Sequence, residues 1–153
     1  MVGKLLATGD VNRVTTPTAR VYRTAPESLV NGTAKVLTPD SKIWDNNVFW
    51  NPAANPTRLT VRSGGVYLVG AQLEYNGITS GRRVVILRAN GVDIISDNSL
   101  SVSNTNLVRP STASIWAFEA DDYVECLAFA NANGVTAELE NFWIVAITPE
   151  AVI

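Results

Sequence analysis

Apolar and polar residues alternate in nine short runs between residues 19 and 148, and no stretch repeats its apolar positions at helical spacing. A period of two predicts strands over residues 19–24, 34–37, 58–62, 66–75, 82–89, 92–96, 113–118, 123–130 and 141–147. Strands this short and this evenly spaced predict an all-β sandwich or barrel. Four Asn-Gly pairs punctuate them: Asn31-Gly32, Asn76-Gly77, Asn90-Gly91 and Asn133-Gly134. Each is a candidate hairpin, because both residues tolerate the positive φ of a type I′ turn.

Two of the runs are apolar on both faces. Tyr67, Val69, Ala71, Leu73 and Tyr75 share one face of residues 65–75, while Val66, Leu68 and Gly70 hold the other until Gln72 and Glu74 turn it polar. In residues 123–130, Val124, Cys126, Ala128 and Ala130 alternate with Tyr123, Glu125, Leu127 and Phe129. A strand of this kind needs cover on both sides, and in a small protein the simplest second cover is another copy of the chain.

Residues 40–56 read as a long loop holding Trp44, Phe49 and Trp50. Two readings stand: the aromatics plug one end of the barrel, or they form an exposed anchor for a partner. Residues 1–18 keep no period, and Pro17 resists both helix and central strand. They read as an N-terminal arm ahead of a single domain over residues 19–153, with Val2, Lys4, Leu5, Leu6, Val11 and Val14 as the side chains that would dock it.

Composition narrows the chemistry. Apolar residues make up 46% of the 153 residues and charged ones 17%, so little charge is available to cover the surface. A net charge of -2 without a Lys/Arg cluster sets nucleic acid aside as a partner. No run of eighteen apolar residues predicts a membrane span, and Lys4 before Leu5-Leu6-Ala7 is too short for a secretory leader, so synthesis in a cytoplasm is expected. The single cysteine, Cys126, cannot close an intrachain disulfide and reads as core. The absence of histidine removes His-dependent triads and histidine metal sites.

Adjacent Asp121 and Asp122 point oppositely in extended chain and read as a turn that satisfies its own backbone. Asp93 with Asp97, and Glu138 with Glu140, read as solvated faces. Asp40, Asp45 and Asp97 lack the dense spacing of a calcium loop. Arg82 and Arg83 face opposite ways at the start of a strand, so at most one of them serves any one surface. No catalytic residue, metal or cofactor is expected.

Four segments, taken in order, resemble the globular domain of complement component 1q and the related tumour necrosis factor-like jelly rolls. They are Gly65-Val66-Tyr67-Leu68-Val69-Gly70-Ala71, Arg83-Val84-Val85-Ile86-Leu87-Arg88-Ala89-Asn90-Gly91, Ala120-Asp121-Asp122-Tyr123-Val124-Glu125-Cys126 and Asn141-Phe142-Trp143-Ile144-Val145-Ala146-Ile147. Asp121 stands where that family usually has glycine. The resemblance implies a jelly-roll sandwich of about ten antiparallel strands assembled as a tight homotrimer. Tyr67, Tyr75, Tyr123, Leu127, Phe129 and Trp143 are the residues expected at its interface.

Residues 1–18 hold neither a Gly-X-Y nor a heptad repeat, so the stand-alone bacterial and bacteriophage variety is the nearest likeness. From that likeness we expect a non-enzymatic structural protein of a bacteriophage virion, made in the host cytoplasm. It would be a capsid decoration or a head or tail knob, docked on capsid or tail proteins through the arm. The alternative is a carbohydrate or cell-surface recognition module using Trp44 and Trp50.

Overall fold

A computed structural model describes residues 16–77, 80–100 and 107–147. The docking residues assigned to the arm, Val2 to Val14, lie outside the described residues.

The described residues form strands and no helix: β1 (Thr18–Tyr22), β2 (Glu27–Ser28), β3 (Lys35–Val36), β4 (Ser41–Asp45), β5 (Arg58–Thr60), β6 (Gly65–Asn76), β7 (Arg82–Ala89), β8 (Val92–Leu100), β9 (Ser111–Phe118), β10 (Tyr123–Ala130) and β11 (Thr136–Ala146). Sheet A runs in the order β4-β1-β11-β6-β9 with β2 also on β11; sheet B runs β3-β10-β7-β8 with β5 also on β10. Every pairing is antiparallel, and the two sheets face each other as a jelly-roll sandwich.

The two strands beyond the nine runs are β2, only two residues long, and β4. Ser41–Asp45 sits inside the segment read as loop, because Lys42, Ile43 and Trp44 do not alternate in polarity and all three are exposed. β11 starts five residues before its predicted start, since a register shift between Leu139 and Asn141 breaks the alternation.

Only one Asn-Gly pair is a two-residue hairpin. Ala89 pairs with Val92 across Asn90 (φ 48) and Gly91 (φ 83), the positive pair that a type I′ turn requires. The other three pairs stand where the chain changes sheet: β2 to β3, β6 to β7 and β10 to β11. Asp121, the residue in place of glycine, has a φ of 71, a conformation that aspartate tolerates better than most residues. Asp122 closes that turn by accepting the Glu119 N–H at 2.7 Å.

Between the sheets, Val69, Leu73, Val85, Leu87, Phe142 and Ile144 are fully buried. Cys126 lies among them, and burial pushes its thiol far up, which keeps it an unreactive core group. Tyr75 ties the sheets together: from β6 its hydroxyl donates to the Val84 carbonyl on β7 and accepts the Phe129 N–H on β10 at 3.1 Å. Arg83 turns inward and is buried, its guanidinium donating to the Ser80 carbonyl at 2.8 Å, while Arg82 turns outward over the Phe129 ring.

Of the three aromatics after Asp40, one is the plug. Phe49 is fully buried and meets Tyr67 edge-on at 6.2 Å, and Tyr67 meets Phe118 at 5.9 Å, closing the end of the sandwich where β6 begins and β9 finishes. Asp45 shapes the turn that delivers it. Its carboxylate accepts the N–H groups of Asn47 (3.2 Å), Phe49 (3.0 Å) and Trp50 (2.9 Å).

Candidate functional site

Because side chains alternate across a strand, burying Tyr67, Val69, Ala71, Leu73 and Tyr75 turns Val66, Leu68, Gly70, Gln72 and Glu74 to the outer face of sheet A. Register sets their neighbours. On β9, Ala117, Ile115, Ala113 and Ser111 stand opposite Val66, Leu68, Gly70 and Gln72; on β11, Val145, Trp143, Asn141 and Glu138 stand opposite Leu68, Gly70, Gln72 and Glu74. The face therefore has three tiers along the strands.

The lowest tier is apolar: Val66, Leu68, Ala113, Ile115, Ala117, Trp143 and Val145, with Ile115 61% exposed. Trp143 lies flat because Gly70 opposite it has no side chain. A Cβ at Gly70 would stand 2.2 Å from Trp143 Cζ2 and 2.5 Å from Cε2. Gly70→Ala is therefore expected to lift the indole off the sheet and cost about 1–3 kcal/mol of folding stability in urea titration, with altered tryptophan emission. Unchanged stability and emission would mean that the ring does not depend on the glycine.

The middle tier is polar and hydrogen-bonded within itself. Arg20 donates through Nε to Asn141 Oδ1 at 2.7 Å and again through Nη2, and Asn141 passes a bond on from Nδ2 to Gln72 Oε1 at 3.1 Å. On the other side, the Arg20 guanidinium lies 5.8 Å from the centre of the Trp44 ring, whose Nε1 donates to Thr18 Oγ1 at 3.4 Å. Between Trp44, Arg20, Asn141 and Trp143 on one side and Gln72, Ser111 and Ala113 on the other runs a groove of about 560 Å³. Its walls hold amides, hydroxyls, a guanidinium and two indoles, and no nucleophile paired with a base. That chemistry suits binding.

The upper tier is acidic. Glu138 on β11 stands directly opposite Glu74 on β6, and Glu140 follows at the register shift. Arg109 donates to Glu74 through both Nε (2.9 Å) and Nη2, and its Nε lies 3.3 Å from Glu140 Oε1. Burial pushes the Glu140 carboxyl above its usual range; the Arg109 charge opposes this and the Glu74 charge adds to it.

The structure redistributes the residues expected at a subunit interface. Trp143 stands on the outer face of sheet A. Tyr67 and Tyr75 are corrected to core: they lie between the sheets at 3% and 0% exposure, leaving no surface for a second subunit. Leu127, Tyr123 and Phe129 alternate with core residues on β10 and lie on the far side of sheet B. There Leu127 is 1% exposed, Tyr123 is covered by the Arg58 guanidinium at 3.9 Å, and Phe129 lies under Arg82. A period of two separates two faces without saying which one is inside, and the aromatic-rich face of β6 is the inner one.

Trp44 and Trp50 do not form one platform. Trp44 belongs to the sheet A groove, whereas Trp50 is half-buried against the core with its Nε1 donating to the Pro56 carbonyl at 2.9 Å. Two of the aspartates considered for calcium are engaged within the chain: Asp45 caps the Phe49 turn, and Asp40 accepts from the Thr24 N–H and hydroxyl. Arg20, Asn141 and Gln72 were absent from the sequence-based candidates. Only the pairing of β1, β11 and β6 brings them into one row.

No family model matches this chain, and no curated protein does. Solved structures do match its fold. The globular domain of zebrafish complement 1qA protein aligns at a TM-score of 0.67 with 17% identity over 88% of this chain and 99% of that one. Murine APRIL aligns at 0.63 with 13% identity over 86% and 99%, and the Eiger TNF of S. frugiperda at 0.58 with 15% identity over 90% and 97%. The chain has the jelly-roll fold of the complement 1q and tumour necrosis factor globular domains.

Proposed function

We propose that this chain is a non-enzymatic structural module that closes into a homotrimer through the outer face of sheet A, and that the trimer is a component of a bacteriophage particle. Capsid decoration or a head or tail knob is the role, with residues 1–18 as the docking arm. The observation that carries the trimer is the apolar lower tier, a contiguous apolar patch centred on exposed Ile115, of the kind that marks a contact with a partner.

Exposed Ile115 sits on the edge strand β9, while the groove bordered by Trp44, Arg20 and Trp143 lies toward the opposite edge. A projection on one edge that fits a neighbour's groove near the other edge allows a head-to-tail contact, and such contacts form a ring where the rotation closes. The arm's role rests on the sequence: eighteen residues extend up to about 60 Å, enough to reach a neighbouring capsid subunit.

Light scattering tests the assembly directly. Full-length protein and protein lacking residues 1–15 are both expected at three times the 16.5 kDa chain mass. A monomer in both cases overturns the trimer. Deleting residues 1–15, which leaves β1 whole, is further expected to abolish co-sedimentation with particles of the encoding phage, and retained co-sedimentation overturns the docking role.

A further inference from the structure

We propose that the acidic upper tier of sheet A is a proton-operated brake on self-association: Glu74, Glu138 and Glu140 oppose assembly at neutral pH, and their protonation releases it. The inference rests on the assembly reading above and adds its regulation.

The geometry is a charge imbalance on a shared face. Three carboxylates, Glu74 on β6 and Glu138 and Glu140 on β11, stand at one end of the surface whose other end is apolar, and one guanidinium, Arg109, serves two of them. Glu138 faces Glu74 in register, a like-charge pair at the closest spacing a sheet offers. No hydrogen bond or ion pair among the described residues reaches Glu138.

The remaining charged groups around this tier are already engaged. On β1, Arg20 is bonded to Asn141 one step down the face. Arg23, just beyond β1, donates to the Ala25 and Thr38 carbonyls, and on β2 Glu27 is paired with Lys35 at 2.8 Å and Arg23 at 3.5 Å. Of these only Arg20 carries a charge that no carboxylate offsets, and it is held one step down the face by Asn141 and Trp44; with Arg109 it leaves the three carboxylates in excess. When copies close over the lower tier, the upper tiers approach around the same axis, water is withdrawn, and each carboxylate meets those of its neighbours. Both changes favour the protonated acid. Glu140, already displaced upward within one chain, is the first expected to take a proton.

The sign follows from linkage. Carboxyls whose pKa rises on assembly bind more protons in the assembled state, so association strengthens as pH falls toward the raised values and weakens above them. One unit of upward shift corresponds to a tenfold preference. Dilution series by analytical ultracentrifugation at pH 7.5 and pH 5.0, in about 50 mM salt, read this directly. The association constant is expected to be at least about tenfold higher at pH 5.0. Glu138→Gln is expected to raise it at pH 7.5 and to shrink the difference between the two pH values, and Glu74→Gln serves as a second variant should Glu138→Gln not fold.

Equal association at both pH values together with an unaffected Glu138→Gln variant overturns the brake, as does weaker association at pH 5.0. Ile115→Glu separates this failure from failure of the assembly reading. Loss of the oligomer in that variant with no pH effect in the parent removes only the brake, whereas an oligomer that survives it removes the sheet A interface and the brake together.

Discussion

Phe49→Ala is expected to lower folding stability by about 3–5 kcal/mol, a loss that guanidinium titration reads as a shift of midpoint at nearly constant slope. The side chain is fully buried and is one of three rings that close an end of the sandwich, so truncation opens a cavity bounded by Tyr67 and Phe118. Collapse of that cavity is hindered from both directions. On the loop side, the Asp45 carboxylate holds the N–H groups of Asn47, Phe49 and Trp50, while Val48 sits at a φ of 54, which a β-branched residue adopts only when its surroundings enforce it. On the other side, Arg62 holds the Val48 carbonyl through Nε (3.0 Å) and Nη2 (2.8 Å). A segment pinned at both ends cannot follow the shrinking side chain inward, and the void remains. Phe49→Leu, which keeps most of the volume, is expected to cost less than half as much. A loss below about 1 kcal/mol for Phe49→Ala would show that the ring is dispensable and that the end is sealed by other groups.

The alternation of apolar and polar residues made the sandwich legible, because in an antiparallel sheet the period of two is set by burial and survives without any knowledge of pairing. Nine of the strands were visible in that way, and β10 was read with the bounds it has in the structure. What stayed hidden has physical causes in particular residues. β4 is an edge strand with Lys42, Ile43 and Trp44 all exposed, so no buried face imposes a pattern on it. The register shift at Glu140 inserts a residue that inverts the alternation of β11, and the part before it reads as loop.

Asn31-Gly32, Asn76-Gly77 and Asn133-Gly134 carry the same dipeptide as the true hairpin at Asn90-Gly91. Whether such a pair reverses a strand within one sheet or carries the chain to the other depends on where the next strand is accepted, and that is a long-range choice. The candidate site suffered most. Trp143 was found because it is large and apolar, but the row from Trp44 through Arg20 and Asn141 to Gln72 is drawn from segments separated by up to 121 residues, as in the Arg20 to Asn141 bond, and ordinary polar residues become a site only by register.

Ile115→Glu is expected to turn the assembled protein into a folded monomer. In the single chain the side chain is 61% exposed on the outer face of sheet A, so a carboxylate there remains hydrated and folding loses little. In the assembly the same carboxylate would be enclosed among Leu68, Ala113, Ala117 and a neighbour's groove, where the Arg20 guanidinium is already held by Asn141 and Trp44 and nothing replaces the lost water. Burying an unpaired charge costs several kcal/mol at each contact, and 4 kcal/mol corresponds to a dissociation constant weakened by roughly a thousandfold. Light scattering should therefore give the single-chain mass, with a circular dichroism spectrum close to the parent's and a thermal midpoint lowered only by the lost association.

Val92→Glu provides the matched control. Val92 is 66% exposed, so a glutamate there is tolerated equally well in folding, but it stands at the β7–β8 hairpin of sheet B, away from the proposed contact, and the oligomer should persist. The reverse result, a monomer with Val92→Glu and an intact oligomer with Ile115→Glu, would move the interface to sheet B, where Tyr123, Leu127 and Phe129 lie. Apolar exposure marks where a partner can sit, and only the difference between two equally exposed residues on opposite sheets decides where it does.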